Sequence, residues 1–252
     1  ATALYGVPTM FIAELALTNF STFDLSSLRT GVMAGAPCPV STMNQVNTLM
    51  HMTEVEIAYG MTETSPVSLQ TRTDSPLDKR VSTVGLVHPH VEVKIIDQDT
   101  GKTCPLNQMG ELCTRGYSVM LGYWQNPEAT AGAIDSRGWM HTGDIAVMDD
   151  DGYVNIVGRI KDMIVRGGEN VYPREIEEFL MTHPAVAAVQ VTGVPDPKYG
   201  EEIVAWVALK AGQQLEDEAL KAFCRGTIAH YKVPRYVRFT DEFPMTVTGK
   251  VQ

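Results

Sequence analysis

Residues 84–158 consist largely of short apolar stretches separated by turn residues, and this pattern constrains the fold of the middle of the chain. Apolar and polar residues alternate at 91–95, which is typical of a strand with one buried face. Residues 110–116 and 153–158 indicate two further strands, and the acidic run at 149–152 has the composition of a hairpin turn. Because several short strands follow one another closely, we predict a small, β-barrel-like subdomain here.

Strand and helix signals alternate before this subdomain. They indicate a buried strand at 28–35, a helix at 39–50 and a short strand at 55–59. Proline suits the first turn of that helix, because the N–H that it lacks would have no partner there. A strand–helix–strand order is typical of the edge of an α/β sheet. We therefore assign residues 1–80 to an α/β sheet and residues 81–160 to the β-rich subdomain.

A third pattern begins after the β-rich subdomain. It combines helices at 173–183 and 215–230 with strands at 185–193 and 203–209. Apolar residues recur at helical spacing in the first of these helices. We predict a small α+β domain that begins near Lys161 and spans 161–252, so the fold class of the whole chain is α/β plus α+β.

The charge of the chain argues against two classes of partner. Its formal net charge is −10, and its lysine and arginine residues form no dense run. Phosphate backbones and anionic lipid surfaces would repel such a chain, so we expect no nucleic-acid partner. We also expect no membrane span, because no apolar run reaches the ~18 residues that one needs. An oligomer is compatible with this composition.

The four cysteines lie far apart in the sequence, at Cys38, Cys104, Cys113 and Cys224. No pair has the close spacing of a zinc-binding or redox motif, so we expect reduced thiols. Reduced thiols favour a cytoplasmic location, or the mitochondrial matrix if the source is eukaryotic.

Several segments resemble common phosphate-binding or metal-binding motifs, but their residues do not have the spacing that those motifs require. The tripeptide at 101–103 resembles the end of a phosphate-binding loop, but Ile96 stands where that loop needs its first glycine. No two glycines lie two positions apart, which excludes the dinucleotide-binding fingerprint. His88 and His90 have no third metal ligand near them in the sequence, so we interpret both as ordinary strand residues.

Four other segments carry a joint signal. They are YGMTETSP at 59–66, GWMHTGD at 138–144, GRIKD and RGGEN within 158–170, and PMTVTGK at 244–250. In their order and approximate spacing they resemble the signature motifs of the adenylate-forming enzymes, which include acyl-CoA synthetases, luciferases and adenylation domains. The resemblance covers nearly the whole chain. Within the family, residues 62–66 and 122–124 look most like the medium-chain fatty acyl-CoA synthetases.

The resemblance implies an enzyme that joins a small carboxylic acid to AMP from ATP and passes the acyl group to coenzyme A. Negative charge builds up on the phosphoryl oxygens, so catalysis needs fixed positive charge and precise positioning. By resemblance, Lys250 would bridge the substrate carboxylate and the α-phosphate. Thr62 would hydrogen-bond the α-phosphate, and Glu63 would bind the Mg²⁺ that accompanies ATP.

The resemblance also assigns a set of residues to the nucleotide. These are Gly35, Ala36, Pro37, Tyr59, Gly60, Met61, Asp144 and Arg159. Tyr59 would stack on adenine, and the backbone at 35–37 would approach the base, although an ordinary strand-end turn explains 35–37 equally well. Asp144 would accept hydrogen bonds from the ribose hydroxyls and Arg159 would donate to the same sugar.

A third group of residues belongs to the second step of the reaction. In the family, a small C-terminal domain rotates about a hinge so that one site serves both steps. Lys161 occupies that hinge position in the resembling motif. Gly167 and Gly168 would line a narrow tunnel for the pantetheine arm of coenzyme A, because a side chain there would obstruct it. A flexible hairpin tip is the alternative interpretation of this glycine pair.

One family motif is absent from the sequence. The family carries a Ser/Thr/Gly-rich phosphate loop far upstream of its Y-G-x-T-E motif, whereas only 58 residues precede Tyr59 and none resembles that loop. The chain also begins without an initiator methionine, inside an apolar segment. We therefore expect a fragment whose partner is the missing N-terminal half of the same enzyme. We expect the fragment alone not to complete catalysis.

Two alternative functions stay open at this point. The first is an adenylation domain, or an acyl-AMP ligase, that delivers its product to a carrier protein instead of coenzyme A. The second is a non-catalytic module that keeps the fold and binds a nucleotide. The acyl chain length cannot be inferred, because much of the acyl pocket would lie in the missing half.

Overall fold

The computed structural model describes residues 1–36, 38–241 and 243–244. These residues form two compact units, Ala1–Ile156 and a second unit that begins at Val157. The domain boundary that we predict near Lys161 lies a few residues inside the second unit, and the division into functional domains stays a prediction. No described helix is long and apolar enough to cross a membrane.

The first unit opens with a five-stranded sheet whose strands lie in chain order. The strands are β1 (Ala3–Gly6), β2 (Thr30–Ala34), β3 (Glu54–Gly60), β4 (Val67–Gln70) and β5 (Leu86–Val87), and the helices between them are α1 (Pro8–Leu15), α2 (Val40–Leu49) and α3 (Leu77–Ser82). The first three strands are parallel to one another, and the last two are antiparallel. Parallel strands joined by helices are the α/β arrangement that the sequence predicts.

A buried apolar cluster holds the helices against this sheet. Met33 lies at a buried position of β2, where buried and half-buried residues alternate. Met43 and Val46 lie three residues apart on α2 and are fully buried, so they form one apolar face of that helix. With Phe11 of α1, these side chains belong to one continuous cluster. The spacing of the apolar residues thus explains why 39–50 folds as a helix.

A second sheet corresponds to the predicted β-rich subdomain, and its last strand runs from the first unit into the start of the second. Its strands are β6 (Val91–Ile96), β7 (Gly110–Gly116), β8 (Met140–Met148) and β9 (Val154–Arg159), and α4 (Pro127–Ala133) lies between β7 and β8. They lie in chain order, and β6, β7 and β8 pair antiparallel. The described strands form an open sheet and do not close into a barrel. Leu112 of β7 and Ile95 of β6 are buried on the face that packs against Leu69 of β4.

The described residues of the second unit form a sheet with two α-helices. Its elements are β10 (Ile164–Arg166), β11 (Glu169–Val171), α5 (Pro173–Leu180), β12 (Val186–Asp196), β13 (Gly200–Leu209), α6 (Asp217–Cys224) and β14 (Tyr236–Phe239). The strand order is β11, β10, β13, β12, and β14 pairs parallel with β13. This is the α+β arrangement expected from the sequence, with three short strands that the sequence pattern did not indicate.

One predicted helix of this unit is too long. The helix predicted at 215–230 is α6, which ends at Cys224. It ends there because Arg225 has an extended backbone and Gly226 has a left-handed one, with φ of 80°. Neither conformation continues an α-helix.

The core of the second unit gives a stability prediction. Ile203 of β13 is fully buried in a cluster with Ile176 and Leu180 of α5. We expect Ile203→Ala to lower the free energy of unfolding by about 2–5 kcal/mol, since a buried isoleucine leaves a cavity when it is truncated. The matched control is Val165→Ala, an aliphatic strand residue that is 42% exposed. Urea denaturation of the two variants measures this difference, and equal losses would contradict the assigned core.

Candidate functional site

The carboxyl ends of two parallel strands bring the first site residues together. Ala34 of β2 lies opposite Ala58 of β3, so the residues that follow each strand meet at one edge of the sheet. Gly35 and Ala36 are exposed at this edge, and Tyr59 is the penultimate residue of β3. Open α/β sheets bind their ligands at such an edge. Pro37, the third residue of the predicted adenine turn, lies outside the described residues.

A tight turn follows β3 and carries two more predicted residues. Thr62–Thr64 form one turn of 3₁₀ helix. The buried Thr64 hydroxyl accepts a hydrogen bond from the Met61 backbone N–H at 3.1 Å, which closes the turn. Gly60 must be a glycine, because a Cβ there would lie 1.6 Å from the Pro66 carbonyl oxygen. The result is that Thr62 is exposed to solvent while the turn beneath it is fixed.

Glu63, the predicted Mg²⁺ ligand, is held by the loop that follows β7. The Tyr123 hydroxyl donates to Glu63 Oε1 at 2.9 Å, and the Met120 N–H donates to the Glu63 carbonyl at 2.8 Å. The hydrogen bond to the carboxylate raises the pKa of the Tyr123 hydroxyl. The sequence singled out Tyr123 only as part of a resembling tripeptide, and its contact with Glu63 is new information from the structure.

Tyr59 and Asp144 form the longest-range contact of the site. The Tyr59 hydroxyl donates to Asp144 Oδ2 at 2.5 Å across 85 residues of sequence. Asp144 is 7% exposed and lies on β8, in the second sheet of the same unit. The half-buried Tyr59 ring also packs against the cluster that includes Leu69 and Leu112. This contact joins the edge of the α/β sheet to the T-G-D motif, which sequence order alone did not predict.

The T-G-D motif is a bulge in β8. Glu111 of β7 pairs with Ile145, and Cys113 pairs with His141. One residue of β7 therefore faces three residues of β8, Thr142, Gly143 and Asp144, which we call the β8 bulge. Bulges re-aim side chains and are frequent next to active sites.

Local hydrogen bonds replace the strand pairing inside the β8 bulge. The Thr142 hydroxyl donates to the Leu112 carbonyl at 2.7 Å and accepts from the Asp144 N–H at 3.1 Å. Gly143 has φ of +70°, a left-handed conformation that glycine adopts without strain. The threonine and the glycine of T-G-D are thus explained by the backbone before any ligand is considered.

The remaining predicted residues that the structure describes lie in or beside the second unit. Arg159 is the exposed last residue of β9, and Lys161 is exposed in the 3₁₀ turn Ile160–Asp162. Gly167 and Gly168 form the turn between β10 and β11, with φ of +62° and +89°. Lys250 lies outside the described residues, so its predicted role stays a prediction.

The turn at Gly167 and Gly168 is anchored by a buried ion pair. Arg166 Nε lies 2.7 Å from Glu202 Oε2, and the Glu202 side chain is only 3% exposed. A second guanidinium nitrogen of Arg166 donates to the Tyr231 carbonyl at 2.7 Å. The Gly167 N–H donates to the Tyr199 carbonyl at 2.8 Å. These contacts anchor the end of the hairpin that carries the glycine turn, and the choice between a tunnel lining and a flexible hairpin tip stays a prediction.

Two family models match the chain. The model described as AMP-binding enzyme matches residues 1–124, and the model described as AMP-binding enzyme C-terminal domain matches residues 175–250. The first match includes the turn after β3 and the loop that holds Glu63. The second begins in α5 of the second unit.

Individual relatives agree with these matches. YngI of Bacillus subtilis, named as a candidate acyl-CoA synthetase, is 57% identical over 100% of this chain and 46% of its own length. The medium-chain acyl-CoA ligase ACSF2 of Bos taurus, named as mitochondrial, is 49% identical over 99% of this chain and 40% of its own. ATP-bound MatB of Rhodopseudomonas palustris superposes with a TM-score of 0.91 at 33% identity, over 100% of this chain and 49% of that one. The chain spans less than half the length of each relative, and it belongs to the family of AMP-binding enzymes that its four motifs predicted.

Proposed function

We propose that the protein containing this chain is an AMP-forming acyl-CoA synthetase that acts on a carboxylic acid. One observation carries the proposal. The edge formed by β2 and β3 holds the Tyr59–Glu63 turn, and Tyr59 hydrogen-bonds Asp144 of the β8 bulge there. This arrangement supplies an aromatic ring, an exposed hydroxyl and two carboxylates at one ligand-binding edge. The names of the two sequence relatives support transfer to coenzyme A, and one of them supports a medium-chain fatty acid.

The first step joins the acid to AMP. A carboxylate oxygen of the acid attacks the α-phosphorus of ATP, and the bond to pyrophosphate breaks, which gives acyl-AMP and pyrophosphate. In our proposal Asp144 accepts hydrogen bonds from the ribose and Arg159 donates to it, while Thr62 donates to the α-phosphate. Lys250 bridges the acid and the phosphate with its positive charge. Gly35, Ala36, Pro37, Gly60 and Met61 would bound the adenine beside Tyr59.

The Glu63 carboxylate fits a hard divalent cation. One oxygen, Oε1, accepts from Tyr123, so the carboxylate is held in one orientation. The second oxygen would bind Mg²⁺, which prefers one or two protein carboxylates together with substrate phosphates. When bound, the ion would neutralise charge on the phosphates. Tyr123 in our proposal keeps Glu63 pointing toward that position.

The second step transfers the acyl group to a thiol. The thiol of coenzyme A loses its proton, its sulfur attacks the carbonyl carbon of acyl-AMP, and AMP departs with the electron pair of the broken bond. We propose that the small C-terminal domain rotates about Lys161 between the steps and that Gly167 and Gly168 line the path of the pantetheine arm. The four cysteines are free thiols, which fits the cytoplasm, and the name of the cattle relative supports a mitochondrial location for a eukaryotic protein.

The decisive test is ATP–pyrophosphate exchange by the full-length protein with a panel of carboxylic acids. We expect exchange that depends on the acid, strongest with a medium-chain fatty acid, and conversion to acyl-CoA when coenzyme A is added. Transfer only to a carrier protein would overturn the choice of acceptor. Nucleotide binding without ATP–pyrophosphate exchange in the presence of any of the acids would overturn the proposal that the protein is an enzyme.

The proposed ribose contact gives a mutational prediction. Asp144→Asn keeps an oxygen that can accept from Tyr59 but removes the charge that would strengthen the ribose hydrogen bonds. We expect the KM for ATP to rise about ten- to a hundredfold in the full-length protein, with the KM for the acid little changed. Asp99→Asn, at an exposed turn of the same unit, is the control. Steady-state kinetics measure the effect, and an unchanged ATP dependence would remove Asp144 from the ribose site.

The two-step proposal predicts unequal effects at Lys250. Lys250→Ala should slow acyl-AMP formation by roughly a hundredfold or more, because it removes charge needed only in that step. Thioester formation from supplied acyl-AMP should stay near the wild-type rate. Lys102→Ala, at an exposed lysine of a turn, is the control. Rapid-quench assays of the separate half-reactions measure both rates, and equal losses in the two steps would refute the rotation.

A further inference from the structure

We propose that Glu111 is a positioning residue for ATP binding, because its carboxylate holds the β8 bulge in the shape that presents Asp144. The inference rests on the proposed function, since it requires that Asp144 binds the ribose. Glu111 lies outside the four segments that carry the family resemblance in the sequence analysis.

Both oxygens of the Glu111 carboxylate are engaged at the bulge. Oε1 accepts from the Gly143 backbone N–H at 3.2 Å. Oε2 lies 2.9 Å from Nδ1 of His141, the residue that precedes the bulge. Glu111 is 9% exposed, so water competes little for these contacts. One side chain of β7 thus contacts β8 at the middle of the bulge and immediately before it.

The β8 bulge needs such a partner for a physical reason. An extra residue in a strand loses its ladder hydrogen bond, and an unsatisfied buried N–H costs about 1–3 kcal/mol. Two side chains replace the lost bonds in this bulge. Thr142 accepts from the Asp144 N–H, and Glu111 accepts from the Gly143 N–H. The Thr142 hydroxyl also ties the first residue of the bulge to the Leu112 carbonyl of β7, and Glu111 adds a bond from β7 to Gly143, the middle residue of the bulge.

Displacement of the bulge would move Asp144 directly. Gly143 and Asp144 share a peptide bond, and the Asp144 carboxylate also accepts from Tyr59 at 2.5 Å. A rotation at Gly143 would therefore change the direction of the carboxylate relative to the edge where Tyr59 and Glu63 lie. Misplacement by about 1 Å is enough to reduce catalytic efficiency by orders of magnitude. We expect loss of Glu111 to weaken ATP binding while acid binding is unchanged.

The same carboxylate has a second chemical interpretation. Glu111, Cys113 and His141 place potential metal-ligand atoms within 4.8 Å of one another. Metal ligation would depend on the negative charge at position 111. Support of the bulge depends instead on a side chain long enough to bring a hydrogen-bond acceptor to the Gly143 N–H. The two roles therefore predict opposite rankings for a shortened acid and a full-length amide.

Two substitutions of Glu111 separate reach from charge. Glu111→Gln keeps the length and a carbonyl oxygen that can accept from Gly143, and its amide can donate to His141. Glu111→Asp keeps the charge but withdraws the carboxylate by about 1.5 Å. In the full-length protein we expect the KM for ATP to rise about tenfold in Glu111→Asp and less than about threefold in Glu111→Gln. The KM for the acid should stay unchanged in both.

Glu92 offers a matched control on the neighbouring strand β6. It is an exposed glutamate whose carboxylate bonds Arg115 at 2.7 Å, away from the bulge. Glu92→Asp and Glu92→Gln should leave the KM for ATP within about twofold of wild type. Melting temperatures of all four variants show whether a substitution lowers the stability of the protein as well as changing the KM for ATP. A Glu111→Asp variant that melts earlier but keeps the wild-type KM for ATP would overturn the positioning role.

Other outcomes also decide the question. A larger rise in the KM for ATP in Glu111→Gln than in Glu111→Asp would show that ATP binding depends on the negative charge at position 111 and not on the length of the side chain. That result would refute the proposal that Glu111 supports the bulge. A normal KM for ATP in both Glu111 variants, with a raised KM in Asp144→Asn, would overturn the role of Glu111 while the proposed function stands. Absence of ATP-dependent activity in the wild-type protein would overturn both proposals together.

Discussion

The hydrogen bond from Tyr59 to Asp144 is the contact on which the site of the first unit depends. It links the carboxyl edge of the parallel strands to a bulge in a different sheet, and the two residues are 85 positions apart. Because both side chains are at least half-buried, the bond is formed away from bulk water and has a defined geometry. Without it, the turn that carries Thr62 and Glu63 and the bulge that carries Asp144 would be two separate surface features. With it, they form one edge suited to a nucleotide.

Much of the fold could be predicted from the sequence because local periodicity matches local structure. The strand at 110–116 and the helix at 173–183 appear close to their predicted positions, since apolar spacing fixes which face is buried. β8 was recognised as a motif but not as a strand, because its glycine and threonine interrupt the alternation where the bulge lies. The helix predicted at 215–230 was too long for a different reason. Its sequence pattern favours a helix throughout, but the left-handed backbone at Gly226 ends the helix early.

The candidate site could be predicted only in part. Motif resemblance selected Tyr59, Glu63 and Asp144, and the structure brings the turn of the first two near the third. Resemblance did not indicate the residues that hold them, Tyr123 and Glu111, because their contacts join segments far apart in the sequence. Residue type alone carries no such information. A buried glutamate beside a glycine-containing strand could have suggested support of a bulge, but only once the register of β7 and β8 was known.

The buried ion pair of Arg166 and Glu202 has a consequence for the hairpin that ends in Gly167 and Gly168. Charges removed from water are screened little by dissolved ions, whereas exposed pairs such as Arg225 with Glu218 weaken as salt is added. The shape of this hairpin should therefore be insensitive to ionic strength. The backbone of the glycine turn should therefore keep the same geometry in dilute buffer and in the concentrated electrolyte of a cell, which matters for the pantetheine path that we propose there.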